Sequence, residues 1–166
     1  MPTLDAAYWK RHFAMERHPE GGWWAPHYAA ADTLMPAGLP KRYQGERLAG
    51  TAIYFLLEQG DFSAIHRLQS DEIWHWYAGS PLRLSWINAT GMPVAHRLGP
   101  NPEKLEAFQV VVPHNSWMAA ETDGAYTLFG CTLAPGFHAD DFELGDKEML
   151  LARYPQHAAW IAQYTR

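Results

Sequence analysis

The sequence is poor in cysteine: its 166 residues hold one, Cys131. A disulfide framework and a paired-cysteine metal site within the chain are therefore excluded, and a reducing compartment is expected. Long apolar runs are missing as well. No stretch is long enough to span a bilayer, and the opening MPTLDAAYWKRH lacks the apolar core of a secretion signal. A cytoplasmic protein without a membrane partner is the expectation. Basic clusters are also scarce: 13 Lys and Arg against 18 Asp and Glu leave a net charge of −5, with no run of cations. Phosphate-backbone binding needs a basic face, so a nucleic-acid partner is not expected. Internal repeats and the strand–helix alternation of a parallel sheet are absent too.

What is present is aromatic and β-prone. Eight Trp and eight Tyr supply side chains with an apolar body and a polar tip. Seven or more short apolar segments, among them 48–57, 81–87, 108–112 and 126–133, are separated by closely spaced turn signals. This pattern predicts a β-sandwich or barrel over one domain, 1–166. The continuous run 108–112 reads as a strand buried on both faces, and 32–44 as a surface loop. An N-terminal helix is expected over 4–15, capped by Thr3, with Asp5 in its first turn. The breakers His18-Pro19-Glu20-Gly21-Gly22 end it, and Pro26 argues for a sheet edge or a bulge. Two short helices are expected at 146–153 and 155–164, capped by Asp146 and begun by Pro155, covering a barrel end or a partner subunit.

The segment GDFSAIHRLQSDEIWHWYAG, residues 60–79, reads as strand, tight turn, strand. Alternation puts His66 and Leu68 on one face of the first strand, and Glu72, Trp74 and Trp76 on one face of the second. Folded at the turn, the imidazole of His66 looks at the carboxylate of Glu72 across a concave surface walled by indoles, the usual chemistry of a small-molecule pocket.

The spacing of Gly60, His66, Glu72 and Gly79 resembles the first cupin motif, G-x5-H-x-H-x(3,4)-E-x6-G, with Leu68 at the place of the second histidine. HPEGGW at 18–23, TAIYFLL at 51–57, Ser70-Asp71-Glu72 with Trp74-His75, Gly130-Cys131-Thr132 with Ala134-Pro135-Gly136-Phe137, and Asp141-Phe142-Glu143-Leu144 extend the likeness. In that order, over about residues 4–144, they resemble the DUF985 or Cupin_5 family. The resemblance implies an all-β fold with flanking helices: a double-stranded β-helix, or cupin jelly-roll barrel. It also implies a homodimer formed by strand exchange or sheet extension.

The resembled superfamily holds a metal with three His and one Glu. In the second motif Pro113 matches, but Met118 stands where the last histidine belongs. His66 and Glu72 alone are too few ligands for a tight transition-metal site, so no metal and no other cofactor is expected. Metal-free nucleotide-sugar epimerases among the cupins carry a histidine at the place matched by His66, which removes a proton beside a ketone, and a later tyrosine returns one. Phe129 stands at that tyrosine's place, with Tyr126 or Tyr77 as possible substitutes. The expected function is thus binding of a small polar, sugar-like or nucleotide-sugar ligand in the barrel cavity by a metal-independent epimerase or isomerase. His66 is its base, Glu72 orients it, and Trp74, Trp76, Phe129, Tyr126 and Met118 line the ligand site. A non-catalytic metabolite-binding module and a metal-dependent cupin enzyme are the alternatives.

Overall fold

The computed structural model describes residues 4–166. The first helix, α1 (Ala6–His12), is capped by Asp5, whose side chain accepts from Tyr8 N at 2.7 Å. Thr3, the expected cap, lies outside the described residues. Fourteen strands follow: β1 (Glu16–Arg17), β2 (Trp23–Ala29), β3 (Thr33–Leu34), β4 (Arg47–Leu48), β5 (Thr51–Glu58), β6 (Phe62–Leu68), β7 (Glu72–Gly79), β8 (Leu82–Ile87), β9 (Pro93–Leu98), β10 (Glu106–Ala107), β11 (Gln109–Val112), β12 (Trp117–Thr122), β13 (Tyr126–Leu133) and β14 (Phe142–Leu144). Helices α2 (Lys147–Arg153) and α3 (Ala158–Tyr164) close the order.

Two six-stranded sheets face each other, ordered β1-β2-β5-β13-β7-β11 and β10-β9-β8-β12-β6-β14. This is the expected jelly-roll barrel. Its shared core is apolar: Phe55, Leu57, Leu68, Trp74, Leu84, Met118, Phe129 and Leu133 point inward from both sheets. The outer faces are covered by helices. Trp9 of α1 and Phe13 just after it pack on Leu56 and Leu128 of the first sheet, while Leu150 and Ile161 of α2 and α3 pack on Ile65, Ile87 and Trp117 of the second. The C-terminal helices therefore lie on a sheet face rather than on a barrel end. Each fully buried Leu or Ile contributes roughly 1.5–3 kcal/mol to that docking.

Two local readings change. β6 and β7 do not form a hairpin, because they belong to opposite sheets and the turn at 69–71 carries the chain from one to the other. β11 is buried on one face only: Val110 and Val112 are inside, and Phe108 and Val111 are exposed. Its outer face is open because α1, the helix on this sheet, packs on β5 and β13 instead. The surface loop read at 32–44 stays largely exposed but is tied down, since β3 pairs with β4, Tyr43 is buried, and Arg47 is 2% exposed. Pro26 does mark a bulge, as pairing with β5 skips His27.

Two bulges and two glycines then aim the interior residues. Pairing with β12 leaves Ala64 and Ile65 opposite the single Ala119, so parity switches and both Ser63 and His66 face inward. Gly21 and Gly22, with φ of 108° and 74°, turn the chain between β1 and β2 and point Glu20 into the barrel. A Cβ at Gly22 would stand 2.9 Å from Leu56 O and 2.6 Å from the Phe55 ring. Replacing Gly22 by Ala is expected to lower the unfolding free energy by about 1–3 kcal/mol, read from urea denaturation. An unchanged midpoint would show that neither the φ value nor the contact matters.

Candidate functional site

Four titratable side chains meet inside the barrel at the end where β6 passes into β7. His66, on β6, is 2% exposed and Glu72, the first residue of β7, is 5% exposed. They face each other from opposite sheets, as the sequence reading expected, although through a crossover rather than a hairpin. The other two were not expected: Glu20 and His18, from the loop before β2. Glu20 Oε2 lies 3.3 Å from His66 Nδ1 and 3.7 Å from His18 Nδ1. Ser63 donates to Glu20 Oε1 at 2.8 Å. Glu72 accepts from the Trp74 indole at 2.9 Å and from the Cys131 thiol.

The tautomer of His66 follows from its partner. Nδ1 lies 2.8 Å from the carbonyl oxygen of Ala64, which can only accept. Nδ1 therefore carries the proton, and in the neutral ring Nε2 holds the lone pair. The Phe142 ring stacks on the imidazole at 5.5 Å, with planes 25° apart.

Burial without a cation dominates the electrostatics. Desolvation pushes Glu20 up to about 7, against the opposing pull of His18 and Ser63. Desolvation also pushes Glu72 up to about 7; His66 opposes this and the nearby Glu20 charge adds to it. His66 is lowered by burial, with Glu72 partly restoring it, and His18 is lowered by burial too. The Cys131 thiol is held well above its usual value by burial and by the two carboxylates. Near neutral pH both carboxyls thus sit between their two protonation states beside a neutral imidazole.

The ligand positions expected for a metal do not fit one. Met118 is the cross-strand partner of His66, and Leu68 follows on the same inward face; both are buried apolar side chains. Of the resembled ligand positions His66 and Glu72 remain; His18 and Glu20 stand near them, but among the described residues no group of three or more His, Cys, Asp or Glu side chains is arranged to hold a metal ion. His75 faces outward to Thr132, His114 pairs with Asp71 in the turn, and His138 caps an exposed turn.

Nor do the expected walls form an open hollow. Trp74 and Phe129 stack on each other at 5.0 Å, and Phe129 stacks on Phe55 at 5.1 Å. Together with Met118 they fill the centre of the barrel. Trp76 also points inward, but it lies about 13 Å along β7 from Glu72, with its indole bonded to Ser80 O. Tyr126 is not brought to the site at all. It lies on the outer face beneath α1, where its hydroxyl bonds Leu4 O and the Trp9 indole. Tyr77 is outside as well, leaning over Gly130. The polar cluster approaches the surface on the side of His18, which borders an open basin of about 660 Å³ that also takes in Arg17, Gly21, Asp61 and Arg166.

Comparison with known proteins bears on the family and the fold. The model of the family described as Cupin_5, Cupin superfamily (DUF985), matches residues 7–145. A structural-genomics protein from Shewanella oneidensis is 33% identical over 99% of each chain, with a TM-score of 0.89. A hypothetical protein from Leishmania major is 30% identical over 97% of this chain and 98% of its own, with a TM-score of 0.87. Oxalate decarboxylase from Bacillus subtilis superposes over 92% of this chain and 37% of its own, with a TM-score of 0.56 and 14% identity, a likeness of fold alone. No curated protein matches the sequence. Among the described residues no helix is long and apolar enough to cross a membrane.

Proposed function

The chain belongs to the Cupin_5 (DUF985) family of the cupin superfamily, and from that premise we propose that it is a metal-independent cupin that binds a small polar, sugar-like molecule and moves a proton within it. One observation carries this reading: Glu20, His66 and Glu72 are buried together with no lysine or arginine beside them. Uncompensated buried carboxyls cost stability, and such perturbed groups cluster where acid and base chemistry is done. His66 Nε2 is the base that removes a proton next to a carbonyl. Ionised Glu20, at Nδ1, offsets the positive charge that forms on the ring. Glu72 enters in its protonated form, gives its proton to the carbon, and is reprotonated by the His66 ring, which returns the site to its starting state. The ligand meets this cluster at the His18 end, because Trp74, Phe129 and Phe55 occupy the centre.

The test needs no known substrate. The protein is incubated in D2O with a panel of ketoses, aldoses and 4-keto nucleotide sugars, and deuterium at the carbon beside the carbonyl is read by NMR. Exchange catalysed by the native protein should fall at least about 100-fold in His66→Gln, given the usual weight of general base catalysis. Exchange that survives the substitution would end the role of His66.

A binding-only reading is favoured by one specific observation, the aromatic stack that fills the barrel. It predicts that panel members raise the melting temperature without exchanging deuterium. The homodimer belongs to the same proposal. β11 has one edge without a partner strand among the described residues and exposes Phe108 and Val111, which suits strand addition.

A further inference from the structure

We infer that His18 is a movable door between the outer basin and the buried carboxyl–imidazole cluster, and that the basin is the entry subsite for an acceptor-rich small molecule. This rests on the proposed reading of His66 as the reacting group, and it adds the route by which a ligand arrives.

The cluster is sealed except at one member. The His66 and Glu20 side chains are 3% and 6% exposed, and that of His18 is 18% exposed and borders the basin. Its imidazole stands between the basin and Glu20. The ring is held weakly. Its contacts are aromatic edges and tilted faces, with Trp24 at 5.6 Å, Phe55 at 5.3 Å and Phe142 at 6.5 Å. Its hydrogen bond is a long one, 3.3 Å, accepted at Nδ1 from Glu20 N within the same loop. Rotating the side chain outward gives up only this long hydrogen bond and the 3.7 Å contact with Glu20 Oε2, whereas moving Trp74 or Phe129 would open the close-packed core. The backbone beneath is fixed, since Gly21 N bonds His18 O at 3.0 Å and Gly22 N bonds Asp61 at 3.0 Å. The moving part is thus the ring and not the loop.

The basin's chemistry names what it would take. Asp61 anchors Arg17 at 2.7 Å and Arg166 at 2.6 Å. Each guanidinium carries five N–H donors, and Asp61 leaves most of them free. Arg17 and Arg166 are both well exposed along this rim. Donors of this kind recognise carboxylate, phosphate or neighbouring hydroxyl groups. A molecule anchored there by such a group places its remaining atoms against the His18 ring.

Access can be read without ligand or turnover. The probe is diethyl pyrocarbonate, which modifies neutral imidazole, with labelling of the His66 peptide followed by mass spectrometry. In the native protein His66 should label far more slowly than the exposed His96. His18→Ala should speed labelling of His66 about tenfold or more, and His18→Phe, which keeps a plug of similar size, should leave it slow. Buried Cys131 should stay closed to iodoacetamide in every variant. If His18→Ala exposes Cys131 as well, the smaller polar replacement His18→Asn takes its place in the comparison. Equal His66 labelling with and without the ring, in a variant that keeps Cys131 protected, overturns the door. So does native labelling of His66 as fast as that of His96. Either result concerns access alone and leaves the deuterium-exchange test of His66 to stand or fall separately.

Discussion

Replacing Arg47 by Ala should cost about 3–5 kcal/mol of folding free energy, because it strips the partner from a buried carboxylate. The Arg47 guanidinium meets Asp141 through two parallel contacts, Nε to Oδ2 and Nη2 to Oδ1, both 2.6 Å. A further nitrogen, Nη1, donates to Glu46 O at 2.7 Å. Both side chains are almost wholly buried. The pair joins β4 to the turn before β14, ends of the chain segment 94 residues apart, and β14 carries the Phe142 that stacks on His66. In a chain of this size a loss of 1 kcal/mol lowers the melting temperature by about 2–4 °C, so a fall of roughly 10 °C is expected. The double variant Arg47→Met with Asp141→Leu should recover much of the loss, because it leaves no unpaired charge behind. A single variant within about 1 kcal/mol of the native protein in urea denaturation would show that water reaches this pair.

Glu72→Gln should stabilise the protein at pH 8 and leave it nearly unchanged at pH 5. The carboxyl of Glu72 has a pKa of about 7 in the folded protein, against about 4.3 in an unfolded chain. Between these values the folded state holds a proton that the unfolded state has lost. Stability from this group is therefore full below the lower value and is lost as pH rises toward the upper one. The linkage amounts to roughly 4 kcal/mol. Glu20 carries a contribution of the same sign, coupled to it. His66 and His18 act oppositely: their lowered values make the folded state reject protons, so their contribution is lost as pH falls below about 6.5. Glutamine keeps an oxygen for the Trp74 indole and removes the charge. The expected gain is about 2 kcal/mol at pH 8, shrinking toward zero by pH 5. An equal effect at both pH values would mean that Glu72 ionises as an ordinary exposed carboxylate. A gain of this kind, accompanied by loss of deuterium exchange, is what a site retained for chemistry at the expense of stability predicts.

The barrel was legible because period-two patterning and turn residues are local. Leu82, Leu84 and Trp86 alternate inward as read. The errors lie where local rules stop. His18 and Glu20 belong to a stretch of proline and paired glycines, and their breaking of helix hid their second role, which is to aim a carboxylate inward. The signal was available: an acidic residue between conformational breakers, in a segment shared with the resembled family. Tyr126 and Phe129 lie three apart on one strand, so alternation alone places them on opposite faces, and only Phe129 could line the interior. The bulge at Ala64–Ile65 depends on pairing with a distant strand, and no pattern within β6 reveals it. Phe108–Val112, β-branched and aromatic except for Gln109, reads as buried, yet no helix covers its outer face, and Gln109 and Val111 point there.

Because β6 and β7 sit in different layers, the gap between His66 and Glu72 is a gauge of how closely the two halves of the sandwich sit. The helices that clasp the second layer, and the hydrophobic contacts at the far border, all bear on that gap. Proton sharing in the interior should consequently drift when packing is loosened at remote positions, such as Leu150 or Ile161 behind the second layer. Titration of the His66 ring would then register mechanical strain arriving from outside the barrel.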